Sequence, residues 1–75
     1  MYGMANLDIC IRFGRRLQRE RKKKNMKQID LSVASHLTRN YISQLENGRQ
    51  EVGLRTIEKL AKGLEIPLAA LFRGL

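Results

Sequence analysis

Apolar positions recur along this chain at three- and four-residue steps. Ile9, Phe13 and Leu17 repeat every four residues while Arg12, Arg15, Arg16 and Arg19 fill the other faces, predicting an amphipathic helix over about residues 7–24. Asn25 should close it, because asparagine tolerates the left-handed backbone, and the preceding Arg21, Lys22, Lys23 and Lys24 complement the negative end of the helix dipole. A two-turn helix is expected from Gln28 to about Ser35, with Leu31 and Ala34 inward. Thr38 is a good N-cap for a third helix that carries Tyr41, Ile42 and Leu45 on one face and ends at Asn47-Gly48. After a polar loop over residues 49–53, Leu54, Ile57, Leu60, Ala61 and Leu64 mark a fourth helix stopped at or near Gly63. Pro67 suits the first turn of a fifth. Leu64, Leu68, Leu71, Phe72 and Leu75 then stripe one side of the C-terminal segment. No alternation typical of a strand interrupts this, so the expected fold is all-α: one domain over residues 1–75, built of five short helices with tight connections.

Length and charge narrow the functions open to such a fold. The chain has 75 residues, with 15 Lys/Arg against 7 Asp/Glu for a net charge of +8. Below roughly 80 residues a single core is marginal, so a partner subunit or a ligand is expected to complete it. The longest apolar run, residues 66–72, is far short of the roughly 18 residues that a membrane span needs. Residues 1–6 have neither the basic start nor the apolar stretch of a secretory signal. One cysteine, Cys10, cannot form an intramolecular disulfide, which fits a reducing compartment, and the cytoplasm is the expected location. With one histidine, one cysteine and no clustered carboxylates, the chain offers no catalytic triad, acid/base pair or metal-ligand set. No enzyme activity, cofactor or small-molecule ligand is expected.

The second and third helices, joined by a short turn around residues 36–38, have helix-turn-helix spacing. Any bundle with short loops shares that spacing, but the residues are more specific. Met26-Lys27-Gln28-Ile29-Asp30-Leu31-Ser32 and Leu37-Thr38-Arg39-Asn40-Tyr41-Ile42-Ser43-Gln44-Leu45-Glu46-Asn47-Gly48-Arg49 resemble the helix-turn-helix domains of phage Cro and repressor proteins. The resemblance runs on through residues 57–64 to Leu71-Phe72 and covers about residues 9–73, with the helix-turn-helix itself at about 28–46. It implies a compact five-helix domain that binds operator DNA.

Physical chemistry supplies roles for these residues. A helix in the major groove reads base edges from near its N-terminus, and Arg, Asn and Gln match guanine or adenine bidentately. Arg39, Asn40, Ser43 and Gln44 project away from the inward Tyr41/Ile42/Leu45 face and are the base-reading candidates. Arg39 suits guanine and Gln44 suits adenine. The same four would also make an ordinary solvated face. Gln28 opens the second helix, where free backbone N–H groups can hold a phosphate, and the resemblance implies a phosphate-contacting glutamine there. Thr38, Asn47, Arg49 and Lys27 are further phosphate candidates, Thr38 and Asn47 serving also as cap and turn residues. Nine of the fifteen basic residues lie between residues 12 and 27, with Glu20 the one acid among them. Residues 22–27 can touch or steer phosphate, whereas residues 12–19 read as a solvated face. By the resemblance, Arg21 and Glu46 form a partly buried ion pair between the first and third helices.

Some positions depart from the family pattern. Lys27 replaces the usual Ser/Thr/Asn cap, which should weaken that helix start by about 1 kcal/mol. His36 stands where the turn usually has glycine, Ser32 replaces an alanine between helices, and Val52-Gly53 replaces Pro-Ser/Thr before the fourth helix.

Leu68 and Leu71 are expected to reach the core, and Ile66, Leu68, Phe72 and Leu75, within a dimerisation region at about 64–75, form a candidate two-fold interface. The expected function is therefore a transcriptional regulator that binds a pseudo-palindromic operator in double-stranded DNA as a homodimer. It is expected to lack the further domain of larger phage repressors. Among stand-alone relatives it looks most like the controller proteins of restriction-modification systems, with a Cro-like phage protein left open. An antitoxin, a protein-binding module with DNA secondary, is the alternative from another class. RNA polymerase is a further candidate partner, for which Glu46, Glu51 and Glu58 are the carboxylates at hand.

Overall fold

Each α-helix of the described residues is followed within two positions by one residue with a left-handed backbone, and these closures set the layout. In the computed structural model, which describes residues 7–75, α1 spans Ile9–Lys23, α2 Gln28–Ser35, α3 Arg39–Glu46 and α4 Leu54–Leu64, followed by a 3₁₀ helix at Leu68–Leu71. The stretch read above for targeting features, residues 1–6, lies outside the described residues. Asn25, His36, Gly48 and Glu65 follow the four α-helices at φ +57°, +60°, +71° and +56°. Behind Asn25, Gly48 and Glu65 two backbone bonds seal the helix, as where Glu65 donates to Lys62 at 3.1 Å and Ile66 to Ala61 at 3.0 Å. Each closure turns the chain sharply, and α1 then packs on α3, α2 on both α3 and α4, and the 3₁₀ helix against α1 and α4.

The core is a single apolar cluster: Phe13 and Leu17 of α1, Leu31 of α2, Ile42 and Leu45 of α3, Ile57, Leu60, Ala61 and Leu64 of α4, and Leu71. In α2 the inward partner of Leu31 is Ser35, not Ala34, which is exposed. Ser35 lies four residues on, under Leu31, and its hydroxyl donates to the Leu31 carbonyl at 2.7 Å, so the buried oxygen is satisfied. Gly63 of α4 comes close here: a Cβ on it would sit 3.2 Å from Ser35 Cβ and from the Leu31 side chain. Gly63 lies inside α4 rather than ending it, and Leu64 is the last helical residue.

The expected fifth helix is instead a single 3₁₀ turn, so the described residues form four α-helices. Ala70 donates to Pro67 at 3.0 Å, an i→i+3 bond, while its own carbonyl accepts from Arg16 Nε at 2.9 Å. Gly74 at φ +78° turns the chain end back toward α1, where the Leu75 carbonyl accepts from Arg12 Nη1. The apolar stripe divides accordingly. Leu71 is buried, whereas Leu68 is 48% exposed and Phe72 46%, with one ring face of Phe72 tilted against Phe13 at a centroid distance of 6.0 Å.

Candidate nucleic-acid interface

Thr38 opens α3 with its hydroxyl accepting from the Tyr41 N–H at 3.1 Å, leaving the first turn projecting from the domain. Arg39 and Asn40 occupy that turn, exposed and without a side-chain hydrogen bond among the described residues. Ser43 and Gln44 follow one turn later, half-buried, while Ile42, Leu45 and Glu46 are buried beneath. Arg39, Asn40, Ser43 and Gln44 therefore share the outer side of one short helix whose inner side is core.

What holds that helix is a charged bracket. Arg21 Nε donates to Glu46 Oε2 at 2.6 Å and Arg21 Nη2 to Oε1 at 3.0 Å, a two-point pairing of side chains that are 8% and 2% exposed. Arg21 Nη1 also donates to the Met26 carbonyl at 2.7 Å, tying the α1–α2 turn into the same group. Gln28 Nε2 donates to Glu46 Oε1 at 3.1 Å. The first residue of α2 is thus fastened to the last of α3. An amide nitrogen carries two hydrogens, so Gln28 retains one donor for an anion while bound to Glu46. Glu46, enclosed in this way, is removed from the carboxylates available to a polymerase. Glu51 and Glu58 stay exposed.

Lys27 is exposed before α2, and its backbone N–H donates to Asp30 Oδ2 at 2.8 Å. The start that looked weak for want of a capping side chain at Lys27 is held from within the first turn by Asp30, whose charge also suits the helix N-terminus. Asn47 is exposed and caps α3 from the other end, donating from Nδ2 to the Ser43 carbonyl at 2.9 Å. Arg49 is exposed in the following loop. Ser32 donates to the Leu37 carbonyl at 2.6 Å and so braces the turn between α2 and α3.

Two of the basic residues read as a solvated face serve the fold instead. Arg12 donates from Nε to the Leu7 carbonyl at 2.9 Å as well as to Leu75. Arg16 binds Ala70 and pairs with the buried Glu20 at 2.6 Å, which Lys23 approaches at 3.3 Å. The Arg16 guanidinium thereby satisfies a carbonyl of the 3₁₀ turn, and the Arg12 guanidinium ties the residues before α1 to Leu75. Arg15, Arg19, Lys22 and Lys23 are the exposed basic residues along α1.

Two residues escaped the sequence reading. Gly14 sits where α1 crosses α3, and its one visible signal is a lone glycine inside a helical pattern. Gln50 donates from Nε2 to Gln44 Oε1 at 2.7 Å, and nothing in the sequence marks it. Cys10 is half-buried; partial burial, its hydrogen bond with Asp8, and the negative charges of Asp8 and Glu51 push its thiol up from the ordinary value. Among the described residues no group of three His, Cys, Asp or Glu is placed to hold a metal ion, and no helix is long and apolar enough to cross a membrane.

Comparison with known proteins agrees with this architecture. The family described as Helix-turn-helix matches residues 17–71. Control protein C.MunI of a Mycoplasma species is 42% identical over 66 residues, spanning 87% of this chain and 89% of that protein. Control protein C.BamHI of Bacillus amyloliquefaciens is 38% identical over 60 residues, 79% of this chain and 74% of its own length. The crystal structure of the restriction-modification controller protein C.AhdI from Aeromonas hydrophila superposes with a TM-score of 0.82 at 38% identity, covering 84% of this chain and 96% of that one. With an exposed α3 carried on a bracketed α2–α3 pair and a match over most of its length, the chain belongs to the helix-turn-helix family.

Proposed function

We propose that this protein is the controller of a restriction-modification system, a transcriptional regulator that binds a pseudo-palindromic operator as a homodimer. One observation carries the reading: the first turn of α3 presents Arg39 and Asn40 with no partner among the described residues, while the Arg21–Glu46–Gln28 bracket locks the helix behind them. The helix is thereby held in place while these two side chains stay available to a base edge. Arg39 takes guanine O6 and N7, and Asn40, Ser43 and Gln44 read neighbouring positions.

Around this face lie the phosphate contacts. Gln28 with its spare amide hydrogen, Lys27 and Thr38 receive the backbone at the helix starts, and Asn47 and Arg49 receive it beyond α3. Arg15, Arg19, Lys22 and Lys23 add a sequence-independent attraction that steers association. The likeness to C.MunI, C.BamHI and C.AhdI supports the controller role over the other regulator classes.

Dimerisation uses the half-exposed surface at the chain end, with Leu68 and Phe72 central and Ile66 and Leu75 at its margins. Two copies then span half-sites about 34 Å apart and double the number of base pairs read. The regulator works in the cytoplasm on nucleoid DNA, and RNA polymerase is the partner it meets there.

The test is binding to a palindromic fragment from upstream of its own gene and to random DNA of equal length, for wild type and Arg39→Ala. Preference for the palindrome that disappears in the variant is expected. Equal affinity for both fragments, unchanged by the substitution, removes the regulator reading. Sedimentation at micromolar concentration should give a dimer, and an 8.7 kDa species alone would exclude the interface.

A further inference from the structure

The loop after α3 doubles back onto the reading face. Gly48, at φ +71°, donates to the Leu45 carbonyl at 3.1 Å, and Arg49 donates to the Gln44 carbonyl at 3.0 Å. This paired closure reverses the chain within two residues and sets residue 50 beside residue 44. Gln50 Nε2 then donates to Gln44 Oε1 at 2.7 Å. Of the four reading candidates, Gln44 is the one whose side chain is engaged by another side chain among the described residues.

A glutamine amide has a donor end and an acceptor end, and a free one rotates to offer either or both to a base. The pairing with adenine expected for Gln44 assumes both ends free. Here the oxygen faces Gln50 and the NH₂ group is left to meet the DNA. We propose that Gln50 is a specificity-determining positioning residue, which sets the end of the Gln44 amide presented to the base and makes Gln44 a donor to base-edge acceptors. Those acceptors are guanine O6 and N7, adenine N7 and thymine O4 in the major groove.

Gln50 needs no contact with a base to do this. Its own position comes from the backbone closure at Gly48, so Gln44 is oriented before DNA arrives rather than by it. Once DNA displaces water from the loop, the amide–amide bond lies in a lower dielectric and holds more firmly. The inference rests on the operator binding proposed above.

The experiment is selection of binding sites from a randomised duplex library by the full chain, as wild type and as Gln44→Ala, Gln50→Ala, Gln50→Glu and Gln50→Lys. Base preference is compared position by position within each variant, so a uniform change in affinity from altered charge cancels. Gln44→Ala should mark one base pair in each half-site. Gln50→Ala should relax preference at that same pair by roughly three- to tenfold and leave the Arg39-dependent pair unchanged. Gln50→Lys, which can only donate to Gln44, should keep the wild-type preference. Gln50→Glu, which can only accept, should turn the Gln44 oxygen outward and move preference toward adenine or cytosine, whose exocyclic amines donate. Thermal melting of the Gln50 variants should match wild type, because this residue is exposed.

An unchanged preference at the Gln44-dependent pair in both Gln50→Ala and Gln50→Glu overturns the inference, as does a Gln44→Ala protein with the wild-type profile. Selection of no sequence by wild type is a different failure, in which the operator reading falls and this inference with it.

Discussion

A Cβ placed on Gly14 would lie 2.2 Å from the carbonyl oxygen of Leu45 and 2.8 Å from that of Glu46, so α1 and α3 touch backbone to backbone at this crossing. The obstructing atoms are main-chain oxygens, which no rotamer change moves aside. Gly14→Ala should therefore force the helices apart and cost upward of about 2 kcal/mol, although alanine ordinarily favours a helix over glycine. Urea unfolding measures this, and a variant as stable as wild type would show that the crossing relaxes freely.

Removal of one partner from the Arg21–Glu46 pair leaves the other charge buried. Glu46→Ala should destabilise the fold by about 3–5 kcal/mol, since Arg21 then lacks its two-point acceptor and Gln28 its anchor. DNA affinity should fall in proportion to the unfolded fraction near the melting temperature. Well below it, a residual loss from the unanchored Gln28 amide is expected, equal on operator and random DNA.

His36 and Glu65 hold left-handed backbone conformations that glycine adopts without a Cβ clash. His36→Gly and Glu65→Gly should each raise stability by about 0.5–1 kcal/mol, because relief of the strain exceeds the extra chain entropy of glycine in the unfolded state. Thermal melting checks both. Their separation on different helix ends predicts additive effects.

Gly53 precedes α4 with an extended backbone, no capping side chain and open space around its Cβ position. Gly53→Ser can adopt this conformation and supply the missing acceptor for the first-turn N–H groups. A gain of about 0.5–1 kcal/mol in chemical denaturation is expected.

Phosphate and base contacts separate by their salt behaviour. Lys27→Gln should weaken operator and random DNA alike and lower the slope of log affinity against log salt by about one. Arg39→Ala should cost about 1–3 kcal/mol on the operator and relax the choice of one base pair. Titrations at several salt concentrations distinguish these outcomes, and a Lys27→Gln protein with the wild-type slope would place that lysine off the DNA.

Local signals accounted for the four α-helices of the described residues and for the outward face of α3. Asn25, Thr38 and Gly48 act on their own turns, and apolar residues at helical spacing identify Leu17, Leu31, Ile42, Leu45, Leu60 and Leu64 as core. The outer position of Arg39 and Asn40 follows from the same periodicity, since what a short helix does not bury it exposes. Spacing along the chain was sufficient for an all-α fold of short helices, and the resemblance to phage Cro and repressor proteins implied the helix-turn-helix within it.

The tertiary structure decided what the long polar side chains do. Arg12 and Arg16 look like solvent-facing charges until residues 63 and 54 positions away bring carbonyls within their reach, the one on Arg16 belonging to the 3₁₀ turn that stands where a helix was expected. Gln50 reaches Gln44 because Gly48 reverses the chain, and Gly14 matters because another backbone arrives there. Periodicity registers only a residue's position on its own helix, whereas a hydrogen bond or close contact depends on which distant atoms the packing brings alongside.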